Sequence, residues 1–147
     1  MPAVEAGLAT SGRDRSSLQI VGGPFFVTGD TEEEFNKVKS AACNQIAFYG
    51  STPAYRGVLE SIGCGDLQGE LNRLSKEGKW LEMGSLIDDS LLDKLAVVGE
   101  PQEIATKTRQ RFGDIFDICA ASVFTGDAYS AGGYNSAIGN ALQGNAA

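Results

Sequence analysis

Three short strand-like segments separated by helical stretches are the feature that most constrains the fold of this chain. The strand candidates, residues 17–28, 95–98 and 115–124, are rich in Val, Ile and Phe. The stretches between them carry apolar residues at helical spacing. Strands that alternate with helices pair in parallel, because each helix carries the chain back to the same end of the sheet. We therefore predict an α/β fold with parallel strand pairing.

Helix boundaries are indicated by capping residues. Thr31 followed by Glu34 has the spacing of a capping box, and Gly50 is expected to end the long helix that begins there. Thr52 and Pro53 form an N-cap and first-turn pair for the next helix. A further helix is predicted over residues 2–10 with a C-cap at Gly12, and it looks like a start in the middle of a fold.

Composition excludes several classes of function. The 147 residues include 12 Lys and Arg against 19 Asp and Glu, and the basic residues are scattered. The sequence therefore lacks the clustered positive charge that nucleic-acid binding requires. The chain contains no histidine, which excludes His-dependent triads and His metal sites within it, and we expect no metal centre.

Location is suggested by the cysteines and by the absence of long apolar runs. The three cysteines lie far apart without a Cys-x-x-Cys pair, as expected for reduced thiols in the cytosol. The sequence has no signal-peptide pattern and no apolar run of about 18 residues. We predict a cytoplasmic protein that does not associate with membranes.

The segment YGSTPAYR at 49–56 is the best local candidate for a binding site. It places two phenols, two hydroxyls and one guanidinium at a helix–turn–helix corner, where they could line a pocket for a polar or aromatic substrate. The alternative is that Tyr49 and Tyr55 only pack the corner while Arg56 pairs with a surface acid.

Other motifs favour structural roles. The Gly-Glu-Pro run at 99–101 could hold a phosphate at a helix N-terminus, but an ordinary strand-to-helix turn is favoured, since Glu100 would repel an anion. Asp88 and Asp89 are interpreted as a solvated turn. Asp117 lies within an apolar strand and needs a partner; it could face a binding site or cap a neighbouring helix.

Four segments together resemble one enzyme family: TGDTEEE at 28–34, QIAFYGSTPAYR at 45–56, GDLQGELNRLSKEGKW at 65–80 and AVVGEPQEIA at 96–105. They are similar to the luciferase-like class of flavin-dependent oxidoreductases, and most similar to the branch that uses coenzyme F420, a deazaflavin. The resemblance covers residues 3–124.

The resemblance implies a (β/α)8 barrel more than twice as long as this chain, of which a complete example needs about 250 residues. Residues 1–124 would then be a partial TIM-type barrel, comprising the C-terminal strands and helices of the luciferase-like fold. Residues 125–147, rich in Gly, Ala and Asn, are predicted to form a poorly ordered tail.

The resemblance also implies a reaction. Family members transfer hydride, or activate oxygen, on a flavin-type ring at the barrel mouth, so we expect F420, or alternatively FMN, and a small organic substrate. The family's cofactor-contacting residues lie in strands that this chain does not contain, so no catalytic or cofactor-binding residue is assigned. The substrate-side segment over the mouth would correspond here to Phe48, Tyr49, Ser51, Tyr55 and Arg56.

The chain by itself looks incomplete, and we expect it to be inactive alone. A non-catalytic half-barrel that dimerises or binds a small ligand is one alternative, and a truncated-gene fragment is another. Possible partners are a second copy or a complementing N-terminal half-barrel. Because a partial barrel leaves unpaired edge strands, we predict that the isolated chain is marginally stable or associates.

Overall fold

A computed structural model of the chain describes residues 1–120 and 122–123. Within this part the chain alternates strands and helices, as predicted. The helices are α1 (Pro2–Ser11), α2 (Glu32–Ser51), α3 (Arg56–Ser61), α4 (Leu67–Lys76), α5 (Trp80–Ser85), α6 (Asp89–Leu95) and α7 (Pro101–Phe112), and the strands are β1 (Val21–Gly22), β2 (Phe25–Val27), β3 (Ala96–Val98), β4 (Ile118–Cys119) and β5 (Ser122–Val123).

All described strand pairs are parallel, which confirms the predicted pairing. β2 lies between β3 and β5, and β1 pairs with β4. Val21 is paired with Ile118, and Phe25 is paired with Ser122, which is four residues further along in both strands. The β1–β4 and β2–β5 pairs therefore share one register. The Gly-Gly-Pro run at 22–24 therefore interrupts a single strand direction, because proline has no N–H to donate to a ladder.

The order of the strands departs from that of a barrel. In a (β/α)8 barrel each strand lies beside the next one in sequence. Here β5, the last strand, lies beside β2, and β3 lies on the other side of β2. Both backbone edges of β2 are therefore used, while β3 has one neighbour among the described strands. The described residues consequently form a small open parallel sheet and no closed barrel.

The main core lies where α2 packs against α4, α5 and β2. The side chain of Thr31 accepts a hydrogen bond from Glu34 N at 3.2 Å, as a capping box predicts. The Glu34 carboxylate returns to Asp30 N at 3.0 Å rather than to Thr31. Buried residues from these elements and from α6 fill this core: Val27, Val38, Ala42, Ile46, Ala47, Leu71, Leu74, Met83, Leu91 and Leu92.

Two local predictions are corrected. Pro53–Tyr55 forms a 3₁₀ turn instead of the start of an α-helix, with Tyr55 N donating to Thr52 O at 3.0 Å. The helix α6 was not predicted, although its N-cap signal is present in the sequence. Asp88 accepts from Leu91 N at 2.8 Å, so the pair with Asp89 begins a helix instead of forming a free turn.

The first helix forms as predicted and ends at Gly12, which has a φ of 65°. None of its residues is buried, and Val4 and Leu8 are half-exposed. The predicted tail, residues 125–147, lies outside the described residues. Within residues 1–120 and 122–123, no helix is both long and apolar enough to cross a membrane.

Candidate functional site

Four aromatic side chains meet at the corner predicted from the sequence. Phe48 and Tyr49 lie in the last turn of α2, and their ring centroids are 5.9 Å apart. Tyr49 lies 5.8 Å from Tyr55, and Phe48 lies 6.1 Å from Trp80. All four are between 43% and 51% exposed. We call these four residues the aromatic surface, and it contains three of the residues that the sequence resemblance placed on the substrate side.

The aromatic surface packs against the start of β2. Tyr49 stacks on Phe25, the first residue of β2, with the centroids 6.4 Å apart. The surface therefore lies at the amino end of the strand. Active sites of parallel α/β folds lie at the carboxyl ends of the strands. It lies there because α2 begins after the carboxyl end of β2 and packs back along the strand.

Ser51 is turned into the protein and is not part of the aromatic surface. It is buried, and its hydroxyl donates to Phe48 O at 2.7 Å. Its carbonyl accepts from Gln68 Nε2 at 3.2 Å and from Asn72 Nδ2 at 2.9 Å. These bonds tie the end of α2 to α4, and no sequence motif marks the two amides that make them.

Arg56 pairs with a surface acid, which is the structural alternative stated from the sequence. Its Nε lies 2.7 Å from Glu60 Oε1 one helical turn later, and both side chains are exposed. The hydrogen bond to Glu60 raises the pKa of Arg56. The guanidinium is thus engaged on the surface of α3.

A concave region lies beside the aromatic surface, between α2 and α5. Its volume is about 320 Å³. None of the side chains that line it is ionisable. Its two amides belong to no recognisable sequence motif, and the one available signal is that Asn44 precedes Phe48 by one helical turn. The lining residues are Asn44, Gln45, Phe48, Trp80, Leu81 and Met83.

A second candidate site lies at the carboxyl ends of the strands. Thr28 follows β2 and is 2% exposed. Its Oγ1 is the only buried side-chain polar atom of the described residues that lacks a hydrogen-bond partner. Gly99 N donates to Val27 O at 3.1 Å, so the ends of β2 and β3 lie side by side. An unsatisfied buried hydroxyl at this edge is the kind of group that a ligand can satisfy.

The helix N-termini at this edge are occupied by their own carboxylates. The side chains of Glu100 and Glu103 form a reciprocal capping box at the start of α7. Lys107 Nζ bonds to Val98 O at 3.0 Å and to Glu103 Oε2 at 2.9 Å. The hydrogen bond from Lys107 is the main reason why the pKa of Glu103 is lowered. The Gly-Glu-Pro run at 99–101 is therefore an ordinary strand-to-helix turn, as favoured from the sequence.

Asp117 finds its partners away from both candidate sites. Its carboxylate accepts from Ile20 N at 2.7 Å and pairs with Arg15 at 2.8 Å. The hydrogen bond from Ile20 and then the bond from Arg15 lower its pKa. Asp117 thus ties the approach to β4 to the approach to β1, and it neither caps a helix nor faces a binding site.

Thiol and metal chemistry find no support in the described part of the chain. All three cysteines are free, and burial raises the pKa of Cys43 and of Cys119. A raised pKa keeps a thiol protonated and unreactive. The described residues contain no group of three or more His, Cys, Asp or Glu that could hold a metal ion.

Sequence comparisons relate the chain to a known family. The sequence model described as luciferase-like monooxygenase matches residues 1–117. Uncharacterized protein Rv1360 of Mycobacterium tuberculosis and Uncharacterized protein Mb1395 of Mycobacterium bovis are each 50% identical to this chain over 117 residues. That region is 80% of this chain and 34% of each relative, so the chain spans about a third of their length.

No solved structure matches the chain with significant similarity. The family match rests instead on a continuous run that begins at the first residue and ends at Asp117, and it includes both candidate sites. Since this run covers well over half of the chain, the protein belongs to the luciferase-like monooxygenase family.

Proposed function

We propose that this chain is the C-terminal part of an oxidoreductase in which F420, or alternatively FMN, exchanges hydride with a small organic substrate. The single observation that carries the proposal is the family match over residues 1–117. In such enzymes the cofactor supplies the redox chemistry, while the protein orients it and excludes competing reactions. The chain corresponds to about a third of its relatives, so most of the site would come from other residues.

We also propose that the chain completes a (β/α)8 barrel when the remaining strands are present. The parallel strands separated by helices support this proposal. In the complete barrel β5 would leave β2 and pair beside β3, since consecutive strands are neighbours there. The order seen in this chain would then be the arrangement that three strands adopt without the others.

The described residues do not fit the anionic part of such a cofactor. The acidic side chains of Glu32, Glu33 and Glu34 start α2, and the carboxylates of Glu100 and Glu103 cap α7. The ammonium of Lys107 is already paired with Glu103. Carboxylates at this edge repel a phosphate, so the phosphate would have to be held by residues outside this part of the chain, and we assign no step of the reaction to it.

We propose fewer residues for the substrate side than the family resemblance implies. Ser51 and Arg56 are engaged elsewhere, and we no longer propose them as substrate contacts. Phe48, Tyr49 and Tyr55 remain exposed but lie at the amino edge. We propose Thr28 as the residue of this chain that faces the reaction side, because its hydroxyl is buried and unpaired at the carboxyl edge.

The test is a chimera in which residues 1–117 replace the matching third of the Mycobacterium tuberculosis relative. Titration with F420 and with FMN, followed by cofactor fluorescence, should show that the relative and the chimera bind the same cofactor. The 147-residue chain alone should show no saturable binding of either. The proposal is wrong if the relative binds neither cofactor, or if the chimera folds but loses the cofactor that the relative binds.

A half-barrel that associates through its sheet is the second candidate, and one observation favours it. Val21 and Ile118 face each other in the β1–β4 pair and are 60% and 44% exposed. Parallel sheets are normally covered on both faces. A second copy or a complementing N-terminal half-barrel would cover this pair, and sedimentation of the isolated chain would detect the former.

A further inference from the structure

We infer that the concave region between α2 and α5 is a binding site for a small uncharged aromatic molecule that carries a carboxamide-like polar edge. The site is separate from the carboxyl edge of the sheet. This inference does not depend on the proposed redox function. It rests on the shape of the region, on its aromatic walls and on two amides that make no hydrogen bond to another described residue.

The walls suit a flat ring. Phe48 from α2 and Trp80 from α5 hold their ring centroids 6.1 Å apart with an angle of 47° between the planes. Met83 closes the floor and is 1% exposed. A volume of about 320 Å³ lies at the lower end of the range for ligand pockets, which favours a molecule of one or two rings. Aromatic and thioether side chains bind such rings by stacking and S–aromatic contacts.

The polar part of the site is supplied by Asn44 and Gln45. Both are half-buried, and neither side chain makes a hydrogen bond to another described residue. A Cβ at position 84 would collide with the Asn44 carboxamide, so Gly84 is what allows that amide to lie against α5. The Asn44 oxygen lies against Gly84, so the acceptor open at the edge of the cavity is that of Gln45, and both amide nitrogens are donors.

The absence of charged side chains in the lining favours an uncharged ligand. None of the six lining side chains is ionisable, and the nearby Lys79 is paired with Glu77 and Glu82. A charged ligand would find no counter-ion within the site and would lose part of its hydration. A plain hydrocarbon would leave both amides without partners. A neutral ring with an amide edge satisfies the walls and the amides together.

The chain carries its own reporter for the test, because Trp80 is its single tryptophan. Benzamide, benzoate and toluene are titrated separately into the 147-residue chain while Trp80 emission is recorded. Benzamide should give a saturable change and bind about fivefold more tightly than benzoate or toluene, the effect expected for one net hydrogen bond.

Two variants and one matched control separate the polar contact from non-specific apolar binding. Gln45→Leu should reduce benzamide affinity about fivefold while toluene affinity stays the same or rises. Gln110→Leu is the matched control, since Gln110 is an exposed glutamine on α7 and should change neither affinity. Gly84→Ala should weaken benzamide binding by displacing the Asn44 amide. Amide NMR spectra establish that each variant keeps the parent fold.

Several results would overturn the inference. Equal affinity for the three probes, or a benzamide preference that survives in Gln45→Leu, would mean that the amides do not select the ligand. A Trp80 signal that depends on protein concentration and not on probe would mean that a second copy covers the surface. An unfolded NMR spectrum of the chain would mean that α2 and α5 do not form the site by themselves.

Discussion

Phe25 and Tyr49 stack with their ring planes 9° apart, and this contact joins the amino end of β2 to the last turn of α2. It separates two regions that the sequence would place together. The segment at 49–56 is held at one edge of the sheet, while Thr28 and Gly99 lie at the other. The aromatic surface therefore packs against the start of β2, whereas α/β enzymes carry out their chemistry at the end of the strand where Thr28 lies.

The Phe25–Tyr49 contact should contribute measurably to stability. Tyr49 lies against the rings of Phe25, Phe48 and Tyr55, whereas Tyr55 has a ring contact only to Tyr49 among the described residues. We expect Tyr49→Leu to lower the free energy of unfolding by about 1.5 kcal/mol and Tyr55→Leu by about 0.5 kcal/mol. Urea denaturation compares them, and equal losses would show that the stack on Phe25 contributes nothing.

Thr28→Val should stabilise the isolated chain. The hydroxyl of Thr28 is buried without a partner, and valine has nearly the same shape without that polar atom. We expect the free energy of unfolding to rise by about 1 kcal/mol. The control is Thr108→Val, because Thr108 is also buried but donates to Ile104 O at 2.6 Å and should lose stability or stay unchanged.

The same substitution shows whether the Thr28 hydroxyl contacts a ligand or is only an unpaired group in the fold. In the chimera with the mycobacterial relative, Thr28→Val should weaken binding of the cofactor or of the substrate about fivefold if the hydroxyl contacts either. Unchanged binding together with increased stability would assign Thr28 to the fold alone.

Asp117 should make stability depend on pH. The Ile20 N–H and the Arg15 guanidinium hold the pKa of the Asp117 carboxyl below its ordinary value. A lowered folded-state pKa stabilises the fold above the unfolded pKa of about 3.9, and that contribution disappears as pH falls through the lower folded value. We expect Asp117→Asn to be less stable than the parent at pH 7 and to approach it near pH 3.

Urea midpoints at pH 7, 5 and 3 test the expectation for Asp117. Asp114→Asn is the control, since Asp114 is exposed and forms no ion pair with another described residue. A gap between the parent and Asp117→Asn that stays constant across this range would contradict the assignment.

The exposed pair Val21 and Ile118 should drive self-association of the isolated chain. Their side chains lie next to each other on the β1–β4 ladder and have no cover within the described residues. We expect the double substitution Val21→Thr with Ile118→Thr to reduce the associated fraction measured by sedimentation velocity. Leu81→Thr is the control, because Leu81 is 83% exposed but lies on α5. A monomeric parent that melts cooperatively would refute the prediction.

Local signals determined the parts of this fold that the sequence could predict. Thr31 with Glu34 marked the start of α2, and Gly12, Gly63 and Gly78 have the positive φ values expected where helices end. These features depend on hydrogen bonds and backbone preferences within about four residues, so they can be identified without knowing the rest of the fold. The four segments at 28–34, 45–56, 65–80 and 96–105 likewise indicated the family that the comparisons then established.

Only the tertiary structure decided the strand order, the edge on which the aromatic surface lies, the inward turn of Ser51 and the isolation of the Thr28 hydroxyl. Each depends on contacts between residues far apart in sequence, such as the pairing of Phe25 with Ala96 on one side and with Ser122 on the other. The periodicity of a strand shows which of its faces is apolar, but it carries no information about which strand lies beside it.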